Sequence, residues 1–182
     1  MDWIYLDVEI FIFTSRQVIA VDRAQKAADQ WARERPDLDT QAMVLLGRLS
    51  EAALVIARDR LNPTFVDFGL QPGEFDVLAT LRRSGEPYAL TPTDLYEAAM
   101  ISSGSMTNRI DRLEKASLVA RRPNPADKRG TLVALTPAGL ALIDQAVSAH
   151  VANQQAAVAS LDAREREQLS ALLAKLLAGQ QG

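Results

Sequence analysis

The sequence predicts a mainly α-helical fold with one small β-hairpin, and three observations support this prediction. Ala and Leu dominate the 182 residues while aromatic residues make up only 5%, a composition that favours helices over a β-sandwich. Apolar residues recur at helical spacing, as at Val44, Leu45 and Leu49. Residues 118–135 differ, because two short β-prone runs there flank a loop that contains proline and glycine.

Capping residues and helix breakers divide the chain into predicted helices. A side-chain acceptor or a first-turn proline marks each start, and proline or glycine marks several ends. The predicted helices are Asp22–Glu34, Asp39 or Thr40 to about Asp59, Gln71 to about Arg83, Thr91 to about Met100, Ser103 to about Lys115, Thr136 to about Ala159, and Asp162 to a C-cap at Gly179. We expect Asn62-Pro63 to break the second helix.

The first 21 residues do not fit this helical pattern. Asp2 to Phe13 is β-prone and more aromatic than the rest, and it lacks the basic start and small-residue cleavage site of a signal peptide. Two explanations remain open. The segment is an added strand, or it is an upstream extension from a misplaced start codon, with initiation near Val18 or Val21.

Composition excludes several classes of function. The chain has no cysteine, which excludes disulfides, thiol redox sensing and cysteine-ligated zinc. Its one histidine, His150, lies in an Ala-rich helical stretch without a nucleophile–base or metal-ligand pattern. No run of eighteen uncharged apolar residues suggests a transmembrane helix. We therefore expect a cytoplasmic protein that is not an enzyme and uses no metal or cofactor.

Positive charge is concentrated in one part of an acidic chain. The net charge is −3, but residues 103–133 carry +4 and leave −7 for the remainder. The seven basic residues are Arg109, Arg112, Lys115, Arg121, Arg122, Lys128 and Arg129. A basic segment on an acidic body can bind double-stranded DNA locally while the body stays soluble.

This basic segment has the pattern of a winged helix-turn-helix domain. A short helix from Thr91, a turn at residues 101–104 and a second helix with a polar, basic open face form a helix-turn-helix. The buried face of the second helix should consist of Met106, Ile110 and Leu113, with Arg109 on the open face. Open-face side chains expected to contact DNA are Ser103, Ser105, Thr107, Asn108 and Arg112.

The hairpin that follows is expected to act as the wing. Arg129 is the candidate minor-groove or phosphate contact, Lys128 is a second DNA contact, and Asp127 is placed to support Arg129. The predicted domains are 1–21 (extension), 22–66 (N-terminal helices for ligand and dimerisation), 67–136 (DNA-binding domain) and 137–182 (C-terminal dimerisation helices). The apolar stripe at Leu169, Leu172, Leu173 and Leu176 needs a partner, and a homodimer supplies one.

Two motifs carry a family resemblance. Asp127-Lys128-Arg129 followed by Leu135-Thr136-Pro137-Ala138-Gly139 resembles the D-x-R…L-T-x-x-G signature of MarR-type regulators. The run from Asn108 to Lys115 resembles that family's recognition helix, and the resemblance covers about Gln41 to Leu177. One departure is Ser117, where the family usually has glycine, since serine tolerates a left-handed C-cap less well.

A narrower resemblance is to the urate-responsive HucR/PecS-like branch. That branch binds its ligand with a Trp, an Asp and two Arg, and the matching positions here are Trp31, Asp76, Arg109 and Arg121. An indole can pack on the urate ring and guanidinium groups can hold its anionic edge. The resemblance implies a repressor that urate or a related purine releases from a palindromic operator.

Each of these four residues also has an ordinary structural explanation. Trp31 can serve packing, Asp76 can be a solvent-exposed helix residue, and both arginines can contact phosphate. Two other functions also remain open. One is a MarR-type regulator that senses a phenolic or aromatic carboxylate, and the other is a helical dimeric interaction or architectural module with no small ligand.

Overall fold

The computed structural model describes residues 22–99, 106–127 and 130–180. These residues belong to two compact units that divide between Glu51 and Ala52. The proposed N-terminal strand or extension lies outside the described residues. So do four predicted DNA contacts, Ser103, Ser105, Lys128 and Arg129.

The described chain is mainly helical with one small sheet, which confirms the predicted fold class. The elements are α1 (Arg23–Glu34), α2 (Gln41–Ile56), a π-helical turn (Ala57–Leu61), α3 (Asn62–Asp67), α4 (Pro72–Arg83), β1 (Ala89–Leu90), α5 (Pro92–Ala98), α6 (Met106–Lys115), β2 (Val119–Pro123), β3 (Thr131–Leu135), α7 (Pro137–Ala157) and α8 (Ala163–Ala178). Within the described ranges, no helix is long and apolar enough to cross a membrane.

Local capping explains why most helices begin where the sequence predicts. The carboxylate of Asp22 accepts a hydrogen bond from the Gln25 amide at 2.9 Å and starts α1. Asp162 and Glu165 form a reciprocal capping box at α8, with both hydrogen bonds at 2.8 Å. Each cap uses residues within three positions of one another, so sequence alone reveals it.

The prediction that Asn62-Pro63 breaks the second helix was wrong. The chain stays helical because a π turn is inserted, in which the Asn62 amide donates to the carbonyl of Ala57 five residues earlier. Pro63 then lies in the first turn of α3, where a missing N–H is tolerated. Asn153 of α7 donates a 3.4 Å hydrogen bond to the Arg60 carbonyl and also donates to Thr64 Oγ1, which ties this turn to α7.

The sheet has three antiparallel strands in the order β1-β3-β2. The predicted hairpin is present, and Arg121 of β2 pairs with Val133 of β3. The strand β1 was not predicted, since two residues carry no recognisable alternation. It pairs Ala89 with Ala134 and so joins the hairpin to the chain that precedes α5.

A single apolar core positions α6 within the second unit. Leu78 and Leu81 of α4, Leu95 of α5, Val133 of β3 and Ile143 of α7 are fully buried. From α6 the predicted residues point into this core, with Ile110 2% and Leu113 1% exposed and Met106 packed against them. Burial of one face therefore fixes which face of α6 is turned outward.

The Leu-Thr-Pro-Ala-Gly motif joins the end of the hairpin to α7. The Thr136 hydroxyl caps α7 by accepting from the Gly139 amide at 3.0 Å and donates to the Ser117 carbonyl at 2.8 Å. A Cβ atom at Gly139 would lie 1.9 Å from the Leu118 carbonyl oxygen. Only glycine allows this close approach, which brings the chain after α6 against the first turn of α7.

Ser117 ends α6 in the left-handed conformation, at φ 60°. The Leu118 amide donates to the Leu113 carbonyl at 2.9 Å and the Ser117 amide to the Glu114 carbonyl at 2.8 Å. Together these bonds form a Schellman motif, whose left-handed position favours glycine. The serine departure thus leaves the corner in the conformation that glycine would adopt.

We predict that Ser117→Gly stabilises the protein. Removing the left-handed Cβ gains about 1–2 kcal/mol, and the greater unfolded-state entropy of glycine offsets part of it, leaving roughly 0.5–1 kcal/mol. Urea unfolding would measure the change. The matched control is Ser170→Gly in the exposed middle of α8, where the same replacement should cost about 0.5 kcal/mol. A loss of stability in both variants would contradict the prediction.

His150 lies against two aromatic rings of the core. Its ring centroid is 5.3 Å from that of Phe65 and 4.7 Å from that of Phe75. Its Nδ1 atom is buried with no hydrogen-bond partner among the described residues, and burial lowers the pKa of His150 below its usual value. The folded protein therefore favours the neutral imidazole.

We predict that His150 makes the protein less stable in mild acid. The folded-state pKa of His150 is below the unfolded-state value near 6.5, so the unfolded chain binds the proton first as the pH falls. The contribution of neutral His150 to the free energy of unfolding is therefore complete above pH 6.5 and is lost as pH falls below it. The loss is at most about 1.4 kcal/mol per pH unit for one proton. Urea unfolding between pH 7.5 and 5.5 should show a steeper decline for the wild type than for His150→Phe. Parallel declines would contradict it.

Candidate nucleic-acid interface and ligand site

The outward face of α6 carries the side chains expected to meet DNA. Thr107 and Asn108 are exposed, as predicted, and Lys115 is exposed at the end of the helix. The buried Ile110 and Leu113 lie on the opposite face. A helix anchored by one apolar face and presenting small hydroxyl and amide groups on the other can approach base edges in a major groove.

One flank of α6 is tied to α4 by an ion pair. Arg112 Nε donates to Glu74 Oε1 at 2.7 Å, and the Glu74 side chain is only 9% exposed. The other oxygen, Oε2, accepts from the Gln71 amide at 2.8 Å and caps α4. Glu74 therefore fixes the start of α4 and the position of α6 together. The predicted DNA contact Arg112 is engaged in this pair, although its side chain stays 49% exposed.

The other flank of α6 is tied to the wing by Arg121 of β2. Arg121 NH2 donates to Asp111 Oδ1 at 2.5 Å, and NH1 donates to Glu114 Oε2. The Arg121 amide also donates to Glu114 Oε1 at 3.0 Å. Hydrogen bonding to Asp111 and then to Glu114 raises the pKa of Arg121. We call these three residues the wing clamp.

Asp76 and Arg109 lie close enough to interact electrostatically. Burial raises the pKa of Asp76 above its usual value, and the positive charges of Arg109 and Arg83 oppose this rise. Arg83 is held nearby, because it donates to Thr80 Oγ1 at 3.2 Å and to the Ala98 carbonyl. Asp76 is thus a half-buried carboxyl within electrostatic reach of two guanidinium groups, and the alternative explanation of a solvent-exposed helix residue does not hold.

Arg109 does not lie on the open face of α6 as predicted. It is half-buried, and its NH1 atom is buried with no hydrogen-bond partner among the described residues. Helical spacing places position 109 beside Ile110 and Leu113, at the edge of the buried face. A long side chain at that edge can fold back onto α4.

The four predicted ligand residues fall in different parts of the structure. Trp31 is 44% exposed on α1 in the first unit, while the other three belong to the second unit. Asp76 and Arg109 are brought together, and Arg121 is engaged in the wing clamp. Asp127, the predicted wing support, is exposed at the edge of the described hairpin.

Sequence reasoning missed three residues that position α6. Glu74 lies 38 residues from its partner Arg112, and no local pattern links the two. Asp111 and Glu114 are three residues apart on one helix and so share a face. That spacing, followed by a short turn into a strand with an arginine, was a usable signal for the wing clamp. No group of His, Asp or Glu residues within the described ranges could hold a metal ion.

Comparisons with known proteins agree with this architecture. The profile of the MarR family matches residues 68–130. The transcriptional regulator PecS of Dickeya dadantii is 42% identical over 147 residues, which cover 81% of this chain and 88% of PecS. These matches confirm the prediction that the chain is a DNA-binding transcriptional regulator and not an enzyme.

Two solved structures of similar fold are informative. A cysteine-to-serine mutant of MarR from Escherichia coli, complexed with operator DNA, has a TM-score of 0.64 and 30% identity, covering 81% of this chain and 97% of MarR. BpsR of Bordetella bronchiseptica, from a structure on regulation of its DNA binding by 6-hydroxynicotinic acid, has a TM-score of 0.58 and 30% identity, covering 75% and 98%. The chain belongs to the MarR family of transcriptional regulators, and its similarity to PecS supports the PecS-like branch.

Proposed function

We propose that this protein is a homodimeric repressor that binds a palindromic operator and is released by urate or a related purine. The observation that carries the proposal is the placement of α6. Its outward face is free while both flanks are held by charged side chains, through Glu74 on one side and Arg121 on the other. Such a helix is rigid enough to read DNA and is connected to groups that an anion can displace.

DNA binding follows from the outward face together with the wing. Each α6 enters a major groove, with half-sites about one turn (~10 bp) apart, and each wing meets a neighbouring minor groove. Thr107 and Asn108 are exposed for base or phosphate contacts, with Ser103 and Ser105 preceding them in the chain. MarR of Escherichia coli, which shares this fold, is known in complex with operator DNA.

Dimerisation would cover apolar surface that the single chain exposes. On α8, Leu169 is 45%, Leu172 65% and Leu177 65% exposed, and no residue of that helix is buried. A groove of about 430 Å³ between the π turn and the end of α7 is lined mainly by apolar side chains, among them Leu61, Val151 and Val158. A second copy of the chain is the simplest cover for these surfaces.

The ligand proposal rests on the charged groups at the edges of α6. Asp76 offers an acceptor within electrostatic reach of the Arg109 guanidinium fork. Trp31, in the first unit, is proposed as an aromatic contact from the sequence resemblance alone. An anion that engages Arg121 must compete with Asp111 and Glu114, which would loosen the wing clamp. Effector binding and DNA binding would then favour different positions of α6 and the wing.

A second effector class has a specific observation behind it. BpsR, which has the same fold, is regulated in its DNA binding by 6-hydroxynicotinic acid. That compound is a planar heteroaromatic carboxylate, and the Arg109 fork could hold its carboxylate as well as it could hold urate. The alternative of a phenolic or aromatic carboxylate effector therefore stands beside the purine.

We predict that urate lowers DNA affinity at least tenfold, which requires only about 1.4 kcal/mol of differential binding. Urate would be titrated against the protein bound to a duplex selected from random sequence, with fluorescence anisotropy as the readout. Arg109→Gln should lose the response. Unchanged affinity at millimolar urate would refute the purine proposal, and release by 6-hydroxynicotinic acid alone would favour the carboxylate.

We predict that Arg129→Ala weakens binding to every duplex to a similar extent. If Arg129 meets phosphate, its loss flattens the slope of log affinity against log salt by about 0.9. Arg164→Ala on the exposed start of α8 is the matched control and should leave the slope unchanged. An unaltered affinity in Arg129→Ala would show that the wing tip does not contact DNA.

A further inference from the structure

Gly73, in the first turn of α4, lies directly against the side chain of Arg109. A Cβ atom at position 73 would lie 2.3 Å from Nε, 2.6 Å from Cζ and 3.0 Å from Cδ of Arg109. These distances are well inside van der Waals contact. The guanidinium group of α6 therefore occupies the space that any other residue at position 73 would fill.

The backbone at Gly73 gives no separate reason for glycine. The residue is the second of α4 and is not among the glycines with a positive φ, so its backbone conformation is open to other residues. The three atoms nearest to its Cβ position all belong to Arg109. The side chain of Arg109 is therefore the closest obstacle to any larger residue at position 73.

The position of Arg109 directs its charge toward α4. Asp76 is three residues beyond Gly73 on the same helix, so the two positions are neighbours on one face. Arg109 acts on Asp76 electrostatically, and its NH1 atom is buried without a hydrogen-bond partner among the described residues. The side chain is folded back against α4 with an unused donor.

We propose that Gly73 is a positioning residue. Because it has no side chain, Arg109 can lie against α4 near Asp76 and away from DNA phosphate. This inference rests on the proposed function and specifies how it is regulated. With Arg109 held back, the arginine is available to the effector. Filling the space at position 73 releases Arg109 into solvent on the outward side of α6, where it gains a phosphate contact.

The variant Gly73→Ala separates this role from a packing role. The atoms in the way belong to the end of a flexible side chain, which can move aside, and alanine is favourable in a helix. The variant should therefore fold and be at least as stable as the wild type in urea unfolding. A clear loss of stability would indicate that Gly73 serves packing, and it would overturn the proposal.

The deciding experiment compares the wild type, Gly73→Ala, Arg109→Gln and the double variant. Gly73→Ala should steepen the salt slope of DNA binding by about 0.9, the contribution of one added phosphate contact, and should abolish release by urate. In the Arg109→Gln background, Gly73→Ala should change neither property. A steeper slope that persists without Arg109, or an unchanged slope in Gly73→Ala, would refute the proposal.

A titration without DNA or effector keeps this test independent of the proposed function. Carbon-13 NMR of the Asp76 carboxyl reports the nearby positive charge, since burial raises the pKa of Asp76 and the charge of Arg109 opposes that rise. That pKa should rise in Gly73→Ala, rise in Arg109→Gln, and rise no further in the double variant. If the wild type fails to bind DNA or urate, these shifts still decide whether Gly73 positions Arg109. An unchanged Asp76 pKa in Gly73→Ala would overturn the inference.

Discussion

The ion pair between Arg112 and the buried carboxylate of Glu74 is the interaction on which the geometry of the DNA-facing helix depends. The Glu74 side chain is 9% exposed and the Arg112 side chain 49% exposed, so removing Arg112 should cost less than the about 3–5 kcal/mol lost when a fully buried pair is broken. The same carboxylate caps α4, so α4 and α6 are fixed by one side chain. The core beneath Ile110 and Leu113 sets the depth of α6, and Glu74 sets its position along α4.

This arrangement changes how the charge of the basic segment should be interpreted. Seven basic residues lie between positions 103 and 133. Two of them are already engaged in ion pairs: Arg112 with Glu74, and Arg121 with Asp111 and Glu114. Their guanidinium groups are therefore partly committed to positioning the helix and the wing. Among the described residues, Lys115 and Arg122 are exposed basic groups of this segment. Net charge therefore predicts that the segment meets DNA but not which side chains make the contacts.

The parts of the structure that sequence could predict are those set by neighbouring residues. The caps at Asp22, Thr91, Thr136 and Asp162 act within three positions, and the apolar face of α6 follows from helical spacing. The prediction that Asn62-Pro63 breaks the helix was wrong because a π turn precedes it. That turn lets a new α-helical segment begin at Asn62, with proline in its first turn. The fold-back of Arg109 against Gly73 and the pairing of Arg112 with Glu74 join residues that are 36 and 38 positions apart in the sequence, and no local pattern encodes such contacts.

Magnitudes indicate where an effector must act to release DNA. Arg121 is 34% exposed and its partners Asp111 and Glu114 are 53% and 38% exposed. Ion pairs this exposed contribute about 0.2–1 kcal/mol each, while a tenfold loss of affinity needs about 1.4 kcal/mol. Capturing Arg121 alone would therefore produce a weak response. Arg109 has a buried donor without a partner, and satisfying such a group gains about 1–3 kcal/mol. Under the proposed function, a ligand that engaged Arg109 first and Arg121 second would have enough free energy to move the helix, and the half-buried arginine on α6, more than the exposed one on the wing, would determine the sensitivity of the regulator.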